Sequence, residues 1–444
     1  MKDTTEIVEG LQIYIAKQVS NPQSLSEMED RIRRLMLNIG RLILQMWLIW
    51  EEGKIAKEEL VCDCGKCLSK QRRKATSRSL FGPISYERDY GYCPECKVGI
   101  CPLDEKLGLR PNAMSAELER LAGMVGVEQP FEQGSRLFEE LTLQPLSDQS
   151  LDKAAQAYGE EQIRQEEEWI EEAYDMDNIL KLKREAKKPR RMYGAIDGGR
   201  VHIRKQNGPK SGWRELKVGA WFTTKAHPPK KRGDTWTLRA ENVSYYCDIT
   251  EAENFSPLVW ATAVQRQAHL AQELIILGDG ARWIWDIVDE HFPKAVQIVD
   301  WYHACEYLSP VAHIAFADKT DAENWVEKVK TDLWNGDLDA VIEACSKHIR
   351  PHLKPDDDPV QKAVTYYTNN RHRMDYPTYR ANGYHIGSGT IESAVKQIAS
   401  QRMKVSGAIW NLDAARKVSK ARAAYLSGHW GNLADRRTHL SKAA

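Results

Sequence analysis

Apolar residues recur at helical spacing through Ile32, Leu35, Met36, Ile39, Leu42 and Ile43, which predicts helix within the first 60 residues. The texture changes at residue 62. From Thr76 to Tyr92 apolar and polar positions alternate about Gly82 and Pro83, the pattern of a hairpin. Helical spacing returns from Asn112 to about Lys188, through Leu118, Leu121 and Val125, then Phe138 and Leu141, then Ser150 to Gly159. The break at 143–147 separates two helices, and Ser147 or Asp148 can cap the second. Two readings stay open here: a helix-turn-helix with 148–158 as the reading helix, or a helical hairpin that touches no DNA.

Beyond Pro189 the pattern becomes that of an α/β protein. Strands are predicted at 192–197, 201–205, 216–223, 236–249, 273–279 and 295–300, with helices over 253–270 and 281–291. In this reading Asp197 ends the first strand, and Gly198 and Gly199 lead into a hairpin arm. Residues 303–380 read as all-helical, and the last helices run from Gly389 to about Leu426.

The chain has 444 residues, enough for two or three domains, and its 63 basic and 63 acidic residues cancel, so composition alone does not announce a nucleic-acid binder. The charge is uneven. Glutamates crowd 160–172, and 181–191 is a basic block that reads as a solvated linker or a phosphate-contacting arm. Further basic stretches are Lys70–Lys74, Lys230–Arg232 and the final helices. No apolar run approaches the roughly 20 residues that span a bilayer, and the start lacks a signal-peptide core, so a cytoplasmic, membrane-free protein is expected.

Six of the nine cysteines fall between 62 and 101, which in a cytosolic chain points to metal and not disulfides. Cys64 with Cys67 and Cys93 with Cys96 form two Cys-x-x-Cys pairs on either side of the hairpin, the pattern of a zinc ribbon with one structural Zn2+. Cys62 and Cys101 compete as ligands, but Gly65 and Pro94 inside the pairs favour the tight knuckles.

Three acids sit at the ends of apolar runs or beside a glycine break: Asp197, Asp279 and Glu392. A buried carboxylate is costly unless a positive charge meets it, and converging carboxylates suit divalent metal. Adjacent strand ends meet at one sheet edge, so two aspartates and a helical glutamate can converge on two Mg2+ or Mn2+ ions for in-line phosphodiester chemistry. Strand, strand and helix in that order predict a ribonuclease-H-like domain. Asp279 is preferred to Asp300 because Gly278 and Gly280 admit close approach of a phosphate or metal.

At Asp300-Trp301-Tyr302-His303, in the block from Gly383 through Glu392 to Ala394, in Trp213 to Gly219 and in Gln401 to Gly407, the chain resembles DDE transposases of bacterial insertion sequences, in the group similar to the Mutator-like transposases. The resemblance spans residues 62–426. It implies Asp197, Asp279 and Glu392 as metal-binding catalytic acids, His303 close by, Asp300 orienting it or ending an adjoining strand, and a helical insertion ahead of Glu392. It further implies partners: the terminal inverted repeats of an element, target DNA, and a homodimer or larger synaptic complex near the nucleoid. Trp213, Lys217, Arg402 and Lys404 are candidate DNA contacts.

The expected organisation is a helical region at 1–61, a zinc ribbon at 62–110 and a helical DNA-binding region at 111–188. A catalytic domain follows at 189–303 and 386–430, interrupted by an all-helical insertion at 304–385, with a tail at 431–444. The expected activity is DNA strand cleavage and transfer. The alternatives are a nuclease on the same fold without strand transfer, or a non-catalytic zinc-ribbon DNA binder derived from a transposase.

Overall fold

Two sheets organise the chain. The computed structural model describes residues 12–13, 15–17, 24–55, 59–185, 188–204, 212–228, 237–387 and 389–443; the basic stretch Lys230–Arg232 lies outside them. The protein is mixed α/β and divides into two units, residues 1–161 with 430–444, and residues 162–429. Among the described residues no helix is long and apolar enough to cross a membrane.

In the first unit, helix α1 (Leu25–Ile55) precedes strands β1 (Gln71–Ser79), β2 (Gly82–Cys93) and β3 (Val98–Ile100), an antiparallel sheet in that order. The predicted hairpin is there, with Ser79 opposite Gly82. Alternation buries Ala75 of β1 and Ile84 and Tyr86 of β2 against Leu48 of α1 and Leu103 of α2 (Pro102–Leu107). A second core joins α3 (Ala116–Glu128), α4 (Phe131–Thr142) and the start of α5 (Asp148–Tyr174) through Leu118, Phe138, Leu151 and Ala154.

Ser147 supplies the cap expected for α5, its Oγ accepting from Ser150 N at 3.2 Å. The expected reading helix 148–158 is the opening of a 27-residue helix, with Leu151, Ala154, Ala155 and Tyr158 turned inward. The expected tail is also helical (Trp430–Ala443), stacking Trp430 on Tyr158 at 4.2 Å and pairing Arg436 with Glu161 at 2.8 Å.

The second unit is built on strands β4 (Arg191–Ile203), β5 (Gly212–His227), β6 (Thr237–Asp248), β7 (Glu273–Gly278) and β8 (Val296–Val299), in the order β6-β5-β4-β7-β8. The first three strands pair antiparallel, and β7 and β8 run parallel to β4. The expected break at Gly198–Gly199 is absent. β4 continues through both glycines because β5 pairs with it from Tyr193 to Ile203.

Helices flank this sheet on both faces. Trp221 of β5 donates to Thr262 of α6 (Ala252–Gln265) on one face. On the other, Gly199 leaves room for Ala399 and Val395, so a Cβ there would lie 3.0 Å from the Ala399 Cβ. The helical insertion after β8 returns to the sheet through tyrosine hydroxyls: Tyr376 donates to the Val299 carbonyl at 3.1 Å, and Tyr366 to that of Asp279 at 2.9 Å.

The glutamate-rich run is not uniformly solvated. Glu166 is buried and paired with Lys420, which also meets Asp248 at 3.0 Å.

Candidate functional site

Parallel register brings the acids together. Ile196 is opposite Gly278, and Gly278 is opposite Val299, so the next residue on each strand is Asp197, Asp279 and Asp300. Neighbouring strands lie about 4.8 Å apart, which sets three carboxylates along one sheet edge. The Asp300 N–H donates to the Gly278 carbonyl at 2.9 Å and keeps the rung in place. Each aspartate also accepts from the backbone beyond it: Asp197 Oδ1 from Gly198 N at 2.6 Å, Asp279 Oδ1 from Ala281 N at 2.8 Å, and Asp300 Oδ1 from His303 N at 2.8 Å. Asp300 thereby caps the helix Trp301–Glu306 that carries His303.

Glu392 reaches the same edge from the helix Gly389–Val395, which continues through a π-helical stretch, Lys396–Met403. Its path is tied to β8 where Trp301 N donates to the Ile386 carbonyl at 3.0 Å. Ligand atoms of Asp300, His303 and Glu392 all lie within 4.8 Å of one another, close enough to share one cation.

The electrostatics also link the side chains. Burial raises the Asp197 carboxyl to about 6; the Gly198 N–H opposes this, Asp279 adds to it, His303 opposes it and Glu392 adds again. Burial acts against the His303 imidazolium, but Asp197, Asp300, Glu306 and Asp279 outweigh it and raise its pKa. His303 Nδ1 lies 3.4 Å from Glu306, and its Nε2 is buried without a hydrogen-bond partner among the described residues. An edge that makes Asp197 hard to ionise beside further acids fits a cation.

The two glycines beside Asp279 do not serve the approach of a ligand as expected. A Cβ on Gly280, whose φ is +99°, would meet the Tyr366 ring at 2.5 Å, and one on Gly278 would meet Ile284 at 3.1 Å. They admit protein side chains.

The cysteine cluster departs from the predicted ligand set. Sulfurs of Cys62, Cys64, Cys93 and Cys96 lie within 4.8 Å of one another, and those of Cys64 and Cys93 are 3.7 Å apart. Tetrahedral zinc with Zn–S near 2.3 Å requires sulfurs about 3.8 Å apart, so this cluster can hold a metal ion such as zinc. The Cys96 N–H draws the Cys93 thiol down to about 7, whereas the thiols of Cys64, Cys62 and Cys93 push Cys96 up to about 12.

Cys67 is outside this group because it forms an antiparallel bridge with Val61, which sets the two side chains on one face and Cys62 on the other. Cys67 is exposed and Cys62 buried. Leu60 is buried, Val61 exposed and Cys62 buried, an alternation that three consecutive apolar residues do not announce in the sequence. Cys101 is also apart, its thiol pushed up to about 11 by burial and by Asp104.

Residues 18–437 match an uncharacterised protein family, UPF0236. The chain belongs to this family. No curated protein matches it.

Of the four candidate DNA contacts in this UPF0236 member, two are inside the protein. Lys217 is paired with Glu215 and sits 4.4 Å from the Trp283 ring centroid, and its pairing with Gly198 turns it to the face opposite Asp197. Arg402 is 2% exposed and lies over Trp410 at 5.1 Å. It falls on the buried row that starts with Ile391, Ala394 and Ile398, a spacing legible in the sequence. Trp213 is exposed beside His202, and Lys404 is exposed at the end of the π-helical stretch. The Lys70–Lys74 stretch is partly neutralised: Arg72 pairs with Glu52 and Asp89, and Lys70 with Asp89.

Proposed function

We propose that this protein is a DNA transposase whose ribonuclease-H-like domain cleaves phosphodiester bonds at the ends of a mobile element and joins them to target DNA. The observation that carries this reading is the register of β4, β7 and β8, which aligns Asp197, Asp279 and Asp300 at one edge beside Glu392. The strand order β6-β5-β4-β7-β8, antiparallel then parallel, supports the ribonuclease-H-like reading.

Asp197, Asp279 and Glu392 would hold divalent ions, with Asp300 and His303 able to share one of them. Bound Mg2+ or Mn2+ supplies Lewis-acid charge for the attacking and leaving oxygens of an in-line displacement. The four cysteines would hold the structural zinc of a ribbon.

In the first reaction water bonds to phosphorus at the element's end and the bond from phosphorus to the terminal 3′ oxygen breaks, leaving a 3′ hydroxyl on the element and a 5′ phosphate on the flank. In the second, that 3′ oxygen bonds to a target phosphorus and displaces a target 3′ oxygen. Neither step needs a covalent bond to the protein. His303, held among carboxylates that raise its pKa, would take up or release a proton at the reacting oxygens. Exposed Trp213 and Lys404 remain the proposed contacts to DNA.

The test is a joining assay with Mn2+, oligonucleotides carrying the pre-cleaved ends of the element that encodes the protein, and a supercoiled target plasmid. Joined product that disappears in Glu392→Gln supports the transposase. Cleavage of uncut ends without joining would instead indicate a nuclease, and a gel shift without either reaction a DNA-binding protein.

A further inference from the structure

Helix α1 has two apolar faces; among the described residues one packs on the hairpin, and beside the other only Leu35 is buried. Leu44, Leu48 and Ile55 turn to the hairpin, Glu52 accepts from Asp89 N at 2.6 Å, and Glu51 pairs with Lys106 at 2.9 Å. The opposite face carries Ile32, Met36, Ile39, Ile43, Met46 and Trp50, spaced 4, 3, 4, 3 and 4 residues apart. Five of these six are exposed, from 44% at Ile32 to 69% at Met46. A single surface helix needs one apolar stripe; a second one that keeps an unbroken 3.5-residue period is the seam of a coiled coil.

We propose that this face binds the same face of a second copy of the chain, as an antiparallel pair of α1 helices. The period selects a helix as the occupant, since each seam residue needs a hole between four residues of a facing helix. Covering six seam residues and the flanking Leu42 and Ile49, at on the order of 100 Å2 each, buries about the 800 Å2 per partner of a standard specific interface.

Charge selects the direction. A parallel pair would set Glu29, the next seam position towards the amino terminus, against its own copy. An antiparallel pair centred between Ile39 and Ile43 sets Ile32 against Trp50 and Met36 against Met46, and brings Glu29 to Gly53 and Lys54 of the second copy. Lys54 remains about half exposed while it pairs with Glu51. This inference does not rest on the transposase reading, and it stands or falls separately.

The experiment is light scattering and sedimentation velocity on the full-length protein without DNA, at tens of micromolar. The wild-type chain is expected at twice the chain mass. Ile43→Glu with Met46→Glu should give a monomer of unchanged circular dichroism and zinc content, whereas Ile43→Leu should remain a dimer. Glu29→Lys should weaken association at least tenfold, and adding Lys54→Glu should restore it. A monomeric wild-type chain would overturn the proposal, whether residues 1–23 or another protein then covers the face; so would a dimer that survives the double glutamate variant.

Discussion

Asp197 and Asp279 each stand one residue beyond a paired rung, Ile196 opposite Gly278, on adjacent parallel strands. Parallel strands point their carboxyl ends the same way, so this rung alone brings together two acids 82 positions apart in the chain, and the Gly278–Val299 rung adds Asp300. Glu392 is brought in separately, by a helix that packs over Gly199 on the sheet face shared with Asp197.

Asp197 sets the response to pH. Because its carboxyl is raised to about 6, protons compete with a divalent ion for it, and Mn2+ affinity should fall roughly tenfold per unit below that value and level off above it. In the metal-free protein the sign is reversed. An acid harder to ionise when folded contributes stability that is fully present below its ordinary 3.8 and is lost as pH rises through about 6. The shift in melting temperature on adding Mn2+ should therefore grow between about pH 5 and pH 7. A flat shift across that window would remove Asp197 from the metal site.

Glu392→Gln keeps the shape of the side chain and removes its charge. Cleavage and joining should fall by roughly 10²-fold or more, while DNA retention in a gel shift changes little, because binding draws mainly on basic and aromatic groups elsewhere. Equal loss of both would point to a fold defect.

The cysteine set makes a sharp contrast. Cys62→Ser should strip zinc from the purified protein, and Cys67→Ser should retain one zinc per chain, both read by elemental analysis. Cys67 has no place among the four sulfurs, so zinc loss in Cys67→Ser alone would restore the paired Cys-x-x-Cys arrangement.

Lys420 lies buried between Glu166 and Asp248. Lys420→Met leaves two acids without their shared cation and should cost about 3–5 kcal/mol, read from urea denaturation. Lys404→Ala, on an exposed side chain, should leave stability within about 0.5 kcal/mol and weaken DNA binding.

Much of the second unit was legible as apolar runs that stop at an acid: strands at 192–197, 273–279 and 295–300 correspond to β4, β7 and β8. The continuation of β4 was not, because Gly198 and Gly199 read locally as a turn and only pairing with β5 keeps them extended. Spacing within each cysteine pair suggested symmetrical knuckles, and the bridge between Val61 and Cys67 selected Cys62 instead. Arg402 and Lys217, candidate DNA contacts by their charge and by the resemblance, are buried. The helical row through Ile391 and Ile398 would have turned Arg402 inward, whereas Lys217 meets Glu215 two residues along its own strand and Trp283, which only the fold brings over it. Glu161 and Glu166 were hidden for the same reason: their cations, Arg436 and Lys420, lie more than 250 residues away.

Anomalous diffraction from crystals of the protein grown with Mn2+ tests most directly whether the strand-end acids and Glu392 share divalent ions. Manganese peaks are expected at the strand-end edge, within coordination distance of Asp197, Asp279 or Asp300, and Glu392. Fully occupied crystals with no manganese at that edge, or with Glu392 turned away from all three aspartates, would contradict this expectation.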